Sequence, residues 1–208
     1  ELAKELHKLG KPMVLVLMNG RPLTINWFND NVNAIIECWF LGLQSGNAIA
    51  DVLFGDYNPS GKLPVTFPKS LGQVPLYYNH KNTGRPLNPK VPAYTSHYND
   101  ESNDPLYPFG YGLSFTKFEY SDLKLSKSEI KKDESIKVSF TLKNAGKYAG
   151  EEVAQLYVRD LVGSVTRPVK ELKDFAKIKL NPGESKTVEF SITPEKLKFF
   201  DLNMNFVV

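Results

Sequence analysis

Across 208 residues there is a single cysteine, Cys38, which excludes an internal disulfide. It lies in the apolar run Ala34 to Phe40, where the expected role is a small buried hydrophobe rather than a nucleophile. Histidine is scarce too: His7, His80 and His97 lack ligand spacing, so no metal site is expected. No apolar run approaches the roughly 20 residues of a membrane span. An excess of one charge is also missing. The formal net charge is +3 and the lysines are scattered among acids, which argues against a nucleic-acid partner. A phosphate loop is excluded, because Lys62 after Ser60-Gly61 lacks the GxxxxGK[ST] frame. There is no Ser-His-Asp arrangement, and no paired acids suggest a calcium loop. No cofactor is expected.

The bulk composition, 41% hydrophobic and 24% charged, is ordinary for a soluble globular protein, and 208 residues give room for one large or two small domains. The chain carries no signal peptide or initiator methionine and begins in mid-helix. It is therefore expected to be a piece of something longer, and the missing leader says nothing about compartment.

The chain is organised around residues 46–70. Gly46 and Asn47 can open a helix, and Ile49, Val52 and Leu53 give it one apolar face. Gly55 ends it. Asp56 to Gly61 is turn chemistry. Leu63 to Pro68 must be extended, because Pro64 and Pro68 fix φ and remove donors.

Ahead of this strap, Glu1 to Gly10 reads as a helix with Leu2, Leu6 and Leu9 on one face. Met13 to Met18 is a continuous apolar run, which predicts a strand buried on both faces of a parallel sheet. Residues 21–31 read as irregular, and Ala34 to Phe40 as a second buried strand. This is α/β grammar. It supplies only part of a doubly wound sheet, so apolar edges should be exposed unless more chain or a partner covers them.

After the strap, residues 67–115 form a long connector with little periodicity. Its aromatics, among them Tyr77, Tyr78, Tyr107, Phe109 and Tyr111, suggest a segment packed onto the domains. From Phe118 the period becomes two: Ile136, Val138, Phe140 and Leu142 alternate with polar residues, as do Val188, Phe190 and Ile192. Asn144-Ala145-Gly146 and Asn181-Pro182-Gly183 are turns. Val153 to Val158 is a strand whose inward face the pattern does not assign, and Ile178 and Leu180 mark another. Short strands at this spacing predict an immunoglobulin-like sandwich.

Several segments, in order, resemble glycoside hydrolase family 3, the β-glucosidase and β-xylosidase family. They are residues 46–70, Tyr107 to Thr116, Gly150 to Val158 and Arg167 to Leu172. The likeness is to its periplasmic β-glucosidase branch through Lys11 to Leu23 and Tyr77 to Pro86. It implies an α/β fragment over 1–66, a linker over 67–115 and a fibronectin type III-like sandwich over 116–208, one strand short of its usual complement. It also implies a retaining hydrolase of terminal β-linked sugars, acting on an oligosaccharide or β-glycoside in the periplasm or outside the cell. Such enzymes use two carboxylates about 5 Å apart. By the resemblance, the nucleophile sits on an N-terminal barrel and the acid/base upstream of Glu1. No catalytic role therefore falls on this chain, and the piece alone is expected to be inactive and to brace the barrel.

Glu37 is flanked by apolar residues, but it reads as a paired or solvated strand-end carboxylate. Asp51 reads as a local helix partner and Asp56 as part of a turn. The one loop with binding chemistry is Tyr77 to Pro86. His80, Asn82 and Arg85 there combine an imidazole, an amide and a guanidinium beside aromatics, a set that suits sugar faces and hydroxyls. The resemblance implies that this region can border an outer sugar subsite. The competing reading is that His80 and Arg85 pin the linker in place. A different class of function also stays open, a non-catalytic carbohydrate-binding or protein-interaction module. Such modules display rows of exposed aromatics, whereas the strand aromatics here read as mostly inward. A stand-alone adhesion protein is disfavoured by the α/β fragment.

Overall fold

The computed structural model describes residues 1–208. The leucine-spaced start forms α1 (Leu2–His7) and the apolar run after Pro12 forms β1 (Val14–Leu17). Irregular chain was expected next, yet α2 (Asn26–Asn31) stands there. Its residues are weak helix formers. Side-chain amides hold it instead: Asn31 Nδ2 donates to the Trp27 carbonyl at 2.7 Å and Asn26 Nδ2 to the Lys69 carbonyl at 2.9 Å. The second apolar run forms β2 (Ala34–Glu37), parallel to β1 with Val14 beside Ala34 and Leu17 beside Glu37. The expected helix is α3 (Ser45–Phe54), closed by Gly55 at φ +87°, a left-handed conformation that a Cβ would oppose.

The strand β1 is not buried on both faces, since Val14 is 45% exposed. The cause is that its sheet has two strands only. Neighbours that would cover such a run in a wider sheet are not supplied by these residues.

The chain divides into two compact units. The first gathers Glu1–Tyr57, Leu63–Tyr78 and His97–Tyr111. Within it, the proline-spaced strap is paired: the Phe67 N–H donates to the Tyr107 carbonyl at 2.8 Å, and Phe67 is 1% exposed. Connector aromatics pack here, Tyr107 on Tyr111 at 5.2 Å and Tyr78 on Phe109 at 4.2 Å. Gln73 ends the short 3-10 turn Leu71–Gln73 and is buried. Its Nε2 donates to the Ser102 and Asp104 carbonyls, and its Oε1 accepts from the Lys69 N–H. Its amide is thus satisfied inside at both ends, as burial requires.

The second unit gathers Asn58–Lys62, Asn79–Ser96 and Gly112–Val208. It carries β3 (Phe118–Leu125), β4 (Ile136–Asn144), β5 (Gly150–Val158), β6 (Glu171–Leu180) and β7 (Ser185–Ile192). One antiparallel sheet runs β3-β4-β7 and the other pairs β5 with β6. The period-two residues face inward: Phe140, Leu142, Val188 and Phe190 meet Ala154, Ile178 and Leu180 in one core. Ala154, opposite Ala176, settles which way β5 faces. Leu142 and Leu180 are fully enclosed, each worth about 1.5–3 kcal/mol of burial. This is the expected fibronectin type III-like sandwich. The turn after β6 closes with the Glu184 N–H on the Asn181 carbonyl at 3.0 Å.

The strand aromatics are less inward than expected. Tyr120 is 52% and Phe175 63% exposed. Tyr120 lies on the edge strand β3, where no further strand flanks it, and stacks on Phe140 at 5.5 Å. Phe175 sits on the outward row of β6, opposite Gln155. The β3 edge is broken by a bulge between Ser121 and Lys124, with Asp122 at φ +54°. Such a bulge blunts an edge against pairing with another chain. The chain closes with α4 (Pro194–Leu197) and a hairpin of β8 (Phe199–Phe200) and β9 (Phe206–Val207).

Asn144, expected in a turn, is the last residue of β4 and fully buried. Its Nδ2 donates to the Tyr148 and Leu180 carbonyls, and its Oδ1 accepts from Thr116 Oγ1 and the Gly146 N–H. Replacing Asn144 with Ala strands these groups in the core. It should cost about 3 kcal/mol, read as a lower urea midpoint with unchanged slope. A change under about 0.5 kcal/mol would contradict this account.

Candidate functional site

The loop singled out for sugar chemistry is fixed mainly through its backbone. The His80 carbonyl accepts from the Val169 N–H at 2.9 Å, and Lys81 bridges antiparallel to Pro168. The Arg85 carbonyl accepts from the Ser96 N–H at 2.8 Å. His80, Asn82 and Arg85 are all exposed. His80 Nδ1 lies 3.1 Å from the Lys81 carbonyl, while the Asn82 and Arg85 side chains have no internal partner. Pinning of the loop is thus real, but it uses main-chain groups and leaves the side chains of Asn82 and Arg85 free.

The three residues do not converge. Asn82 lines a cavity of about 680 Å³ together with residues 159–169 and Leu202, whereas His80 and Arg85 do not reach it. The cavity wall is organised by Arg167, whose Nη2 donates to Glu171 Oε2 at 2.8 Å and whose guanidinium lies 4.3 Å over the Phe199 ring. Asp160 Oδ2 stands 3.5 Å from Arg167 Nε. Gly163 is wrapped against this group: a Cβ there would fall 2.7 Å from Arg167 Cγ. Reading by sequence missed this wall. Its one signal was Arg167-Pro168-Val169, noticed as a family motif and not as a site.

Elsewhere in the same unit, the segment Asn58–Lys62 is clamped to the sandwich. Asn58 Nδ2 donates to the Ala149 carbonyl, and its Oδ1 accepts from Ser114 Oγ and the Phe115 N–H. Lys62 Nζ donates to the Gly112 carbonyl at 2.9 Å and to Glu152 Oε2 at 3.1 Å. Tyr120 donates its hydroxyl to Glu152 Oε1 at 3.0 Å. Burial, and then the Glu152 charge, push the Tyr120 phenol well above its ordinary range, so it stays a donor. Lys62 is therefore a structural cation, and Glu152 is committed to it.

In the first unit, Glu37 Oε1 accepts from the Trp39 N–H at 2.9 Å, and this holds Trp39 at φ +51°, an unusual conformation for a bulky residue. Its Oε2 is buried without a partner. Burial raises the Glu37 carboxyl above 4.5, against the pull of backbone donors at Trp39 and Cys38. Cys38 is buried, and its thiol is pushed up by burial and by the Glu37 charge. No group of three or more His, Cys, Asp or Glu is placed to hold a metal ion.

Residues 1–115 match the glycosyl hydrolase family 3 C-terminal domain, and residues 152–208 a fibronectin type III-like domain. The chain belongs to glycoside hydrolase family 3. It is 55% identical over 207 residues to the periplasmic β-glucosidase of Salmonella typhimurium, covering 99% of this chain and 27% of that protein. The thermostable β-glucosidase B of Acetivibrio thermocellus is 44% identical, covering 96% of this chain and 27% of the relative. The crystal structure of the Listeria innocua β-glucosidase in complex with glucose superposes with a TM-score of 0.94 at 46% identity, covering 99% of this chain and 29% of that one. The chain thus spans about a quarter of the length of these family 3 relatives, as their C-terminal part.

The Glu37 environment makes a prediction about stability. The unfolded carboxyl ionises near 4.5 and the folded one higher. Between those values only the unfolded chain is charged, so stability contributed by Glu37 is full at low pH and falls as pH rises through that window. The Glu37→Gln variant keeps the Oε1 acceptor and removes the ionisation. The urea midpoint of the parent relative to this variant should fall on going from about pH 4 to pH 7. A difference that rises or stays level over that range would show that the carboxylate is better accommodated than its burial suggests.

Proposed function

We propose that this chain is the rear portion of a retaining β-glucosidase-like hydrolase that releases terminal β-linked sugars from oligosaccharides or glycosides. The reactive carboxylates lie on other chain, and this portion braces the catalytic barrel. The observation that carries the reading is the apolar surface of the first unit. Leu2 is 74%, Phe40 83%, Leu43 98% and Phe54 83% exposed around a sheet of two strands. Surfaces of that kind are built to be covered. Among the partly shielded carboxylates, Glu37 serves the Trp39 backbone, Glu152 serves Lys62 and Tyr120, and Glu171 serves Arg167. A periplasmic location follows the name of the Salmonella relative. No helix is long and apolar enough to cross a membrane.

Within this reading, His80, Asn82 and Arg85 contact the outer part of the substrate in the complete enzyme. Exposure of all three, and the uncommitted Asn82 and Arg85 side chains, support that role. A boundary near residue 66, a linker to 115 and a sandwich from 116 remain the proposed domain plan.

Two measurements test the proposal. The 208-residue chain alone should show no turnover of an aryl β-glucoside above buffer. Clear turnover would place reactive acids within it. In the complete enzyme, Arg85→Ala should raise KM for a disaccharide about three- to tenfold with kcat nearly constant, since uniform binding is lost. An unchanged KM would remove Arg85 from the sugar-contacting set.

A further inference from the structure

The cavity beside Arg167 has a makeup that bracing does not explain. At about 680 Å³ it falls within the range of small-molecule sites, roughly 300–1,000 Å³. The polar side chains around it fall into two groups. Arg167 is engaged: Glu171 and Asp160 neutralise it and Phe199 lies against its face, while its buried Nε makes no hydrogen bond. Asn82, Arg159, Ser164 and Thr166 are unspent. All line the cavity, and none of their side chains has a partner within the protein. They come from two separated segments, held beside each other by the Lys81–Pro168 bridge and the Val169 to His80 hydrogen bond. The loop leaves no room for a side chain at Gly163, where a Cβ would fall 2.7 Å from Arg167 Cγ and 3.1 Å from Asp160 Oδ2.

The chemistry of the unspent groups narrows the ligand. All four unspent side chains can donate, and the Asn82 amide oxygen and the Ser164 and Thr166 hydroxyls can accept as well. The lining thus mixes donors with acceptors in an amide, two hydroxyls and a guanidinium, beside an Asp160 carboxylate already engaged by Arg167 and the Val162 N–H. Sugar hydroxyls both donate and accept, and they suit such a set. The rim adds apolar surface for C–H faces, with Leu161 79%, Val162 92% and Leu202 84% exposed. No aromatic ring lines the cavity, so stacking does not contribute and the affinity should be modest.

We propose that this cavity of the fibronectin-like unit, between Asn82 and the 159–169 loop, is a binding site for a neutral, hydroxyl-rich oligosaccharide. The inference goes beyond bracing and does not require it. It shares Asn82 with the substrate-contacting set proposed above but not His80 or Arg85, and it concerns binding by this chain, whereas the placement of the reactive acids is a separate matter.

The test is titration of the 208-residue chain with laminaritetraose and, separately, with cellotetraose, followed by backbone amide NMR. Saturable shifts centred on Asn82, Arg159, Ser164 and Thr166, with Kd about 1 mM, are expected for either sugar. Asn82→Ala and Arg159→Ala, both exposed and unpartnered, should each weaken binding about threefold or more. Ser164→Tyr should abolish it by filling the mouth, while amide shifts elsewhere report an intact fold. Shifts centred elsewhere, or none up to about 20 mM, would overturn the proposal, since even millimolar affinity would then be exceeded. Equal shifts with sodium sulfate alone would also overturn it and mark an anion site. None of these results bears on whether the complete enzyme cleaves β-glycosides.

Discussion

The second unit depends on one enclosed charge. Lys62 is held between the Gly112 carbonyl and Glu152, and the two side chains are 16% and 13% exposed. Removing both ions from water is costly, and further hydrogen bonds on each partner, Gly112 on the lysine and Tyr120 on the glutamate, offset part of it. Tyr120 supplies the second hydrogen bond to Glu152 and stacks on Phe140, so the ion pair is continuous with the core of the sandwich. Asn58 makes a parallel fastening four residues earlier through both ends of its amide. A short stretch between a helix and a strap thus becomes part of a β-sandwich far along the chain. Its attachment includes an ion pair and side-chain hydrogen bonds from Asn58 and Lys62.

The same logic separates what could be read from residue order from what could not. Period-two alternation placed Val138, Phe140 and Leu142 in the core, because a strand repeats its faces locally. Gly55 closed α3, because a left-handed residue after an apolar helix needs no distant information. The segment α2 was invisible. Its stability comes from amides reaching Trp27 and the distant Lys69, and such bonds leave no periodic trace. The inward roles of Asn144 and Gln73 were hidden for the same reason. A buried amide and an exposed one have the same letter, and only long-range geometry tells them apart.

The candidate site was legible in type but not in plan. Amide and guanidinium groups beside aromatics drew attention to Asn82 and Arg85, and both stand exposed. Their arrangement was not legible. Asn82 faces a cavity whose other wall lies some way along the chain, at 159–169, and the strand pairing that joins them is one isolated bridge at Lys81 and Pro168. One bridge is too short to announce itself in a pattern. The strand aromatics misled for a related reason: alternation predicts which side of a sheet a residue takes, but not whether that side is covered.

The solitary thiol has a consequence for the covalent chemistry of the chain. Cys38 is 8% exposed, and its thiol is held above its usual range by burial and by the neighbouring acid. Little thiolate forms, and thiolate is the species that oxidants and disulfides attack. No second cysteine lies within these 208 residues, so no disulfide can form among them. Oxidising and reducing surroundings therefore leave the disulfide connectivity of this stretch the same, with none to make and none to break.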